Sequence, residues 1–173
     1  MRKTISALLA ASALCLTTLA VHSCGIYSFT GTSIQPDVKT LTINYFEYKA
    51  LKVNPSLANQ ITEALRDKFT KLTKLEQVDM DGDLEIEAAI TGYDVKAMAV
   101  TANETAAQNR LTVSVKVSFT NRKHPEDDFP DKSFSAYSDF DSSLSLDSME
   151  AQLCDEIVEK LCEDIFNATV AQW

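Results

Sequence analysis

His124 is the one histidine in what reads as the folded part of the chain, in the stretch Arg122-Lys123-His124-Pro125. Work as a general base would need a nucleophile or a second imidazole within reach, and nothing local supplies one. It reads as a surface residue beside a proline. Asp79, Asp81, Asp83 and Glu85 place oxygen ligands at alternate positions, as the opening of a calcium loop does. Such a loop needs glycine in sixth place and a bidentate glutamate in twelfth. Here Gly82 stands fourth and Ile90 twelfth, so a tight turn is the favoured reading and weak calcium binding the other. Cys154 and Cys162 are eight residues apart in a helical pattern, which separates their Cα atoms by about 12 Å, while a disulfide spans at most about 7 Å. They cannot pair with each other on an intact helix; buried thiols are the favoured reading and an intermolecular bridge the other. The sequence has no glycine-rich phosphate loop, no CxxC and no cluster of metal ligands, so neither catalysis nor a cofactor is expected.

The chemistry that does stand out is at Cys24. Arg2 and Lys3 are followed by an uncharged stretch from Ile5 to Val21, the layout of a secretory signal. A membrane span needs roughly 20 predominantly apolar residues, and this run is shorter and diluted by Ser6, Ser12, Thr17 and Thr18. A cut after Ser23 leaves Cys24-Gly25 at the new end, the arrangement of a bacterial lipoprotein signal in which the Cys24 sulfur carries an acyl chain such as palmitate. His22 is an unusual residue so near the cut, and an ordinary secreted chain with a spare thiol is the other reading. Cys15 is a poorer candidate, with Leu14 before it and apolar residues after it. Given a bacterial signal, the two glycosylation-like triplets at Asn103 and Asn167 read as chance.

Removing residues 1–23 from 173 leaves 150, enough for one domain with a core. Loss of Arg2 and Lys3 from the 16 basic residues leaves 14 against 25 acidic ones, a balance of −11. Such a chain repels nucleic acid and anionic head groups at long range, which excludes nucleic-acid binding as a function class.

The elements that position these residues follow from periodicity. Residues 24–38 read as a lipidated tether and 39–173 as a single domain. Leu41, Ile43 and Tyr45 alternate with Thr42, Asn44 and Phe46, a strand period. Asn54-Pro55 predicts a helix start, with Asn54 as cap and Pro55 in the first helical position; Leu57, Ile61, Ala64, Leu65, Phe69 and Leu72 then form one stripe. Leu84, Ile86, Ala88 and Ile90 predict a second strand, with a bulge at Gly92. The clearest strand sets Leu111, Val113, Val115, Val117 and Phe119 against Thr112, Ser114, Lys116, Ser118 and Thr120. Phe134, Ala136 and Phe140 predict a fourth, and a long amphipathic helix runs from about Leu146 to Val170.

The order β-α-β-β-β-α predicts an α+β two-layer sandwich: a four-stranded, mostly antiparallel sheet with both helices on one face. Its other face is left rich in Ser and Thr, to meet water or a polar partner.

The signal ending in Cys24-Gly25, the following Tyr27-Ser28-Phe29-Thr30-Gly31, Leu41-Thr42-Ile43 and Asn54-Pro55 resemble the lipopolysaccharide-assembly lipoprotein family LptE. So do Ile90-Thr91-Gly92-Tyr93, Asn109-Arg110-Leu111-Thr112-Val113 and Asp164-Ile165-Phe166-Asn167 before Trp173, and the likeness covers essentially residues 24 to 173. It implies a non-enzymatic, lipid-anchored protein on the periplasmic side of the cell outer membrane. Its partner would be an LptD-like outer-membrane β-barrel that it plugs, with lipopolysaccharide as a further ligand. Basic residues are proposed to meet lipid phosphates in that family, yet the 101–109 loop before Arg110 and the Asp141–Asp147 connection contain none. No lipid-binding residue is therefore assigned, Arg110 and Lys116 being only the nearest basic candidates. A periplasm-facing lipid-binding module is the alternative reading, and an enzyme the third.

Overall fold

Strict alternation from Leu111 to Phe119 makes a strand with one apolar face, and every one of those five residues is buried. The computed structural model describes residues 33–98 and 107–171. Its elements are β1 (Thr40–Ile43), β2 (Glu47–Tyr48), α1 (Leu57–Leu72), β3 (Glu76–Gln77), β4 (Leu84–Ala97), β5 (Gln108–Asn121), β6 (Phe129–Asp141) and α2 (Leu146–Val170). A single-turn 3-10 helix, Pro125–Asp127, joins β5 to β6.

The α+β sandwich holds, with a larger sheet than expected. Among the described residues it has six strands, in the order β3-β1-β4-β5-β6, and β2 pairs with β4 beyond the end of β1. The long strands β4, β5 and β6 form an antiparallel meander, whereas β1, β2 and β3 pair in parallel. Parallel neighbours need a crossover, and α1 supplies it between β1 and β3. β2 and β3, two residues each, are too short to show a period.

The expected first strand, Leu41 to Phe46, ends at Ile43, and pairing resumes only in β2. Continued alternation would bury Tyr45 and expose Phe46; instead Tyr45 is 56% exposed and Phe46 is fully buried. The chain turns after Ile43 to put the ring of Phe46 in the core, and Thr62 Oγ1 of α1 accepts the Phe46 N–H at 3.2 Å. The first helix also starts later than Asn54-Pro55 implies. Asn54 Oδ1 accepts from the Ser56 N–H and hydroxyl, at 3.1 and 2.9 Å, and caps a preceding turn. Helical bonding begins only at Ser56, whose carbonyl accepts from Gln60 at 3.0 Å.

Both helices cover the apolar face of the sheet, and α1 packs on α2 through Phe69 and Phe166, whose ring centroids lie 4.9 Å apart at 62°. Ser145 caps α2, its hydroxyl accepting from the Ser148 N–H at 3.3 Å. The bulge stands where Gly92 predicts it. Register passes from Ile90 opposite Val115 to Gly92 opposite Ser114, so the inward positions change from Leu84, Ile86, Ala88 and Ile90 to Tyr93. A Cβ on Gly92 would lie 3.2 Å from Ser114 Cβ, the close approach that favours glycine there.

Candidate functional site: the open face of the sheet

The face of β4, β5 and β6 turned away from the helices is polar because each strand alternates. It carries Thr112, Ser114, Ser118 and Thr120 from β5, Ser133 and Ser135 from β6, and Glu85, Glu87, Asp94 and Lys96 from β4, set in rows by the strand register. The hydroxyls of Ser114 and Ser135 lie 3.1 Å apart, and Ser118 Oγ accepts the Asp131 N–H at 3.2 Å. Tyr137 is the one outward aromatic of these three strands among the described residues.

Arg110 and Lys116 both stand on this face, and each meets a carboxylate. Arg110 makes two bonds to Asp139, 2.6 and 2.8 Å, and stacks over Tyr137 with its guanidinium carbon 3.6 Å from the ring centroid. The pairing holds the Asp139 carboxyl below its ordinary range and raises Arg110 further. Lys116 lies 3.9 Å from Asp131. Arg122 bridges Asp81 at 2.9 Å and Glu85 at 2.7 Å. At Arg110 an incoming phosphate would have to displace a carboxylate, whereas Lys96, opposite Arg110 in the ladder, is exposed and has no carboxylate partner among the described residues.

The remaining candidates are structural. Asp83 accepts from the backbone N–H groups of Lys39 and Thr40, at 2.8 and 3.1 Å, and lies 3.5 Å from Lys123 Nζ. Together with the Arg122–Asp81 bridge, this makes the acidic run a turn bound to β1 and to the end of β5. No group of three His, Cys, Asp or Glu among the described residues is placed to hold a metal ion. Cys154 and Cys162 are free, buried thiols. Asn54 Nδ2 donates to Cys154 Sγ at 3.6 Å, and burial raises both thiols, Cys162 to about 12, so neither is a ready thiolate. Cys24 and Asn103 lie outside the described residues, while Asn167 sits on the exposed side of α2.

His124 ties down the segment before β1. Its Nε2 meets both Asp37 oxygens at 3.0 and 3.1 Å, and Nδ1 lies 3.5 Å from Glu126. Gln35 bonds Asp127 at 2.8 Å and the Ser33 N–H reaches the Val170 carbonyl at 2.7 Å. No sequence signal links residues 87 positions apart, and this role of His124 was not legible. The Asp37 carboxylate raises the His124 pKa above its ordinary value of 6.5, and His124 lowers that of Asp37. A raised histidine stabilises the fold fully below its unfolded value and loses that contribution as pH rises through the folded value. The urea midpoint is therefore expected to carry a component that falls as the pH rises above 6.5 and is absent in His124→Gln. Identical pH profiles for the two proteins would exclude the latch.

No described helix is long and apolar enough to cross a membrane, which says nothing of β-barrels. The family model described as LptE, lipopolysaccharide-assembly, matches residues 38–169. A comparison with curated proteins returns no match. Among solved structures, the hypothetical protein CT253 of Chlamydia trachomatis is similar at a TM-score of 0.52 and 8% identity, covering 78% of this chain and 99% of that one. The uncharacterized lipoprotein B of Nitrosomonas europaea is similar at 0.50 and 10% identity, covering 74% and 79%. At such identities the likeness is one of fold.

Proposed function

The chain belongs to the LptE lipopolysaccharide-assembly family, and from that premise we propose that it is anchored through acylated Cys24 and sits as a plug in the lumen of an LptD-like outer-membrane barrel. The family is one of non-enzymatic outer-membrane lipoproteins, and its work is lipopolysaccharide assembly. What carries the plug reading is the open face of the sheet. Barrel interiors are polar, and a surface of Ser, Thr and charged side chains meets such a wall without an apolar patch. One acyl chain holds a protein only marginally, so the several chains of a lipoprotein would make the anchor stable.

The two bonds between Arg110 and Asp139 favour this reading over a free-standing lipid-binding module, because the strand's arginine is already held by a carboxylate. The test is gentle detergent extraction of the full chain, followed by mass identification of what stays with it and of its mature N-terminus. A large barrel in fixed ratio and an acylated Cys24 are expected. Recovery of the chain alone would sink the plug reading, and an unmodified Cys24 the anchor.

A further inference from the structure

β6 ends the sheet, and its outer edge runs for 13 residues with no neighbouring strand among the described residues. Which backbone groups face that edge follows from the ladder. The Ser114 carbonyl points toward β4, where Thr91 Oγ1 reaches it, and the Val113 carbonyl points toward β6, where Ser135 Oγ reaches it. With Val113 opposite Ala136 and Val115 opposite Phe134, the even residues of β6 turn their N–H and C=O groups to β5. Ser133, Ser135, Tyr137 and Asp139 therefore turn theirs outward. Such a row is a template for another strand.

Lys160 guards one of these groups. It rises from α2 on the apolar side of the sheet, donates to the Tyr137 carbonyl at 2.9 Å, and comes within 5.9 Å of the Tyr137 ring on the opposite face. Its side chain thus wraps the edge and occupies an acceptor that a partner N–H would use. Lys160 and Tyr137 also line, with Ser135, Ala136, Glu163 and Asp164, a groove of about 360 Å³ between β6 and α2.

We propose that this edge takes an extended segment of the barrel partner lying outside its closed, fully paired wall, with a basic side chain seated against Glu163 and Asp164, and that Lys160 keeps the edge unpaired until then. The proposal rests on the plug reading and adds where and how the partner is held: main-chain bonds supply affinity and the acidic groove supplies selectivity. A second copy of this chain fits poorly. An antiparallel copy centred on Ser135 would set Asp131 opposite Asp139, between lipidated chains that each carry 14 basic residues, the 16 less Arg2 and Lys3, against 25 acidic ones.

The test is deuterium exchange of the lipidated chain, alone in detergent and in complex with the co-purifying barrel. In the complex, amides of Ser133, Ser135 and Tyr137 are expected to exchange at least roughly tenfold more slowly than in the chain alone. Ser135→Pro removes an outward N–H at an edge position where proline is tolerated, and is expected to lower barrel retention by roughly tenfold. The double variant Glu163→Lys, Asp164→Lys leaves the ladder intact and is expected to do the same. Unchanged exchange at these amides in a fixed-ratio complex overturns the edge docking and leaves the plug reading standing. Absence of any barrel overturns both. Protection that grows with the chain's own concentration, without barrel, assigns the edge to a second copy and overturns the proposal as stated.

Discussion

Phe69→Ala is expected to destabilise the fold by about 3–5 kcal/mol, the range for deleting a buried aromatic ring. Phe69 is 1% exposed and stands edge-on to Phe166 at 4.9 Å, so its loss empties the seam between α1 and α2. The cost has two parts. Apolar atoms lose their burial, and the partner ring loses contacts that rigid neighbours cannot restore. Leu65 and Ile61, one and two turns back on the same stripe, are also fully buried, and they limit how far the helices can close over the gap. Equilibrium urea unfolding measures it. A loss below about 1 kcal/mol would mean that the helix pair is not packed through this contact.

Gly82→Ala is expected to cost about 3 kcal/mol, at the upper end for overpacking, because what the new methyl meets is backbone. A Cβ there would lie 2.7 Å from the Thr42 nitrogen, 2.8 Å from the Leu84 carbonyl oxygen and 2.9 Å from the Leu41 carbonyl carbon. No side chain can rotate away to admit it. The same turn holds Asp81 at a φ of 57°, and the Gly82 N–H donates to Thr42 Oγ1 at 3.0 Å, so relief would unpair β1 from β4. Thermal unfolding should show Tm lowered by roughly 6–12 °C. An unchanged Tm would place this turn away from β1.

The turn also shows how function and scaffold trade places between sequence and structure. As text, Asp79 to Glu85 looks like ligands in search of a metal. In the fold, Asp83 caps the N–H groups of Lys39 and Thr40 while Asp81 and Glu85 hold Arg122. The Cys154 and Cys162 reading needed no such correction, because burial on a helix stripe is a local property of α2. Nor did the bulge at Gly92, where a glycine inside a strand pattern carries its own reason.

Wherever one element is long and has one buried face, periodicity alone decided it: β5, the stripes of α1 and α2, and the hydroxyl-rich rows of the open face all follow from alternation or from three-and-four spacing. Class and the order of the long elements came with them, as did the acidic balance. What required the tertiary structure was everything set by partners distant in the chain. The two-residue strands β2 and β3 exist only because β4 and β1 offer them hydrogen bonds, and Phe46 displaces Tyr45 from the core because α1 makes room for it. Arg110 is paired with a residue 29 positions away, and His124 with one 87 away. Local pattern reports which side of an element is apolar. The edge left open at β6, and the lysine folded over it, depend on which strand ends the sheet, and that is settled only when the chain has packed.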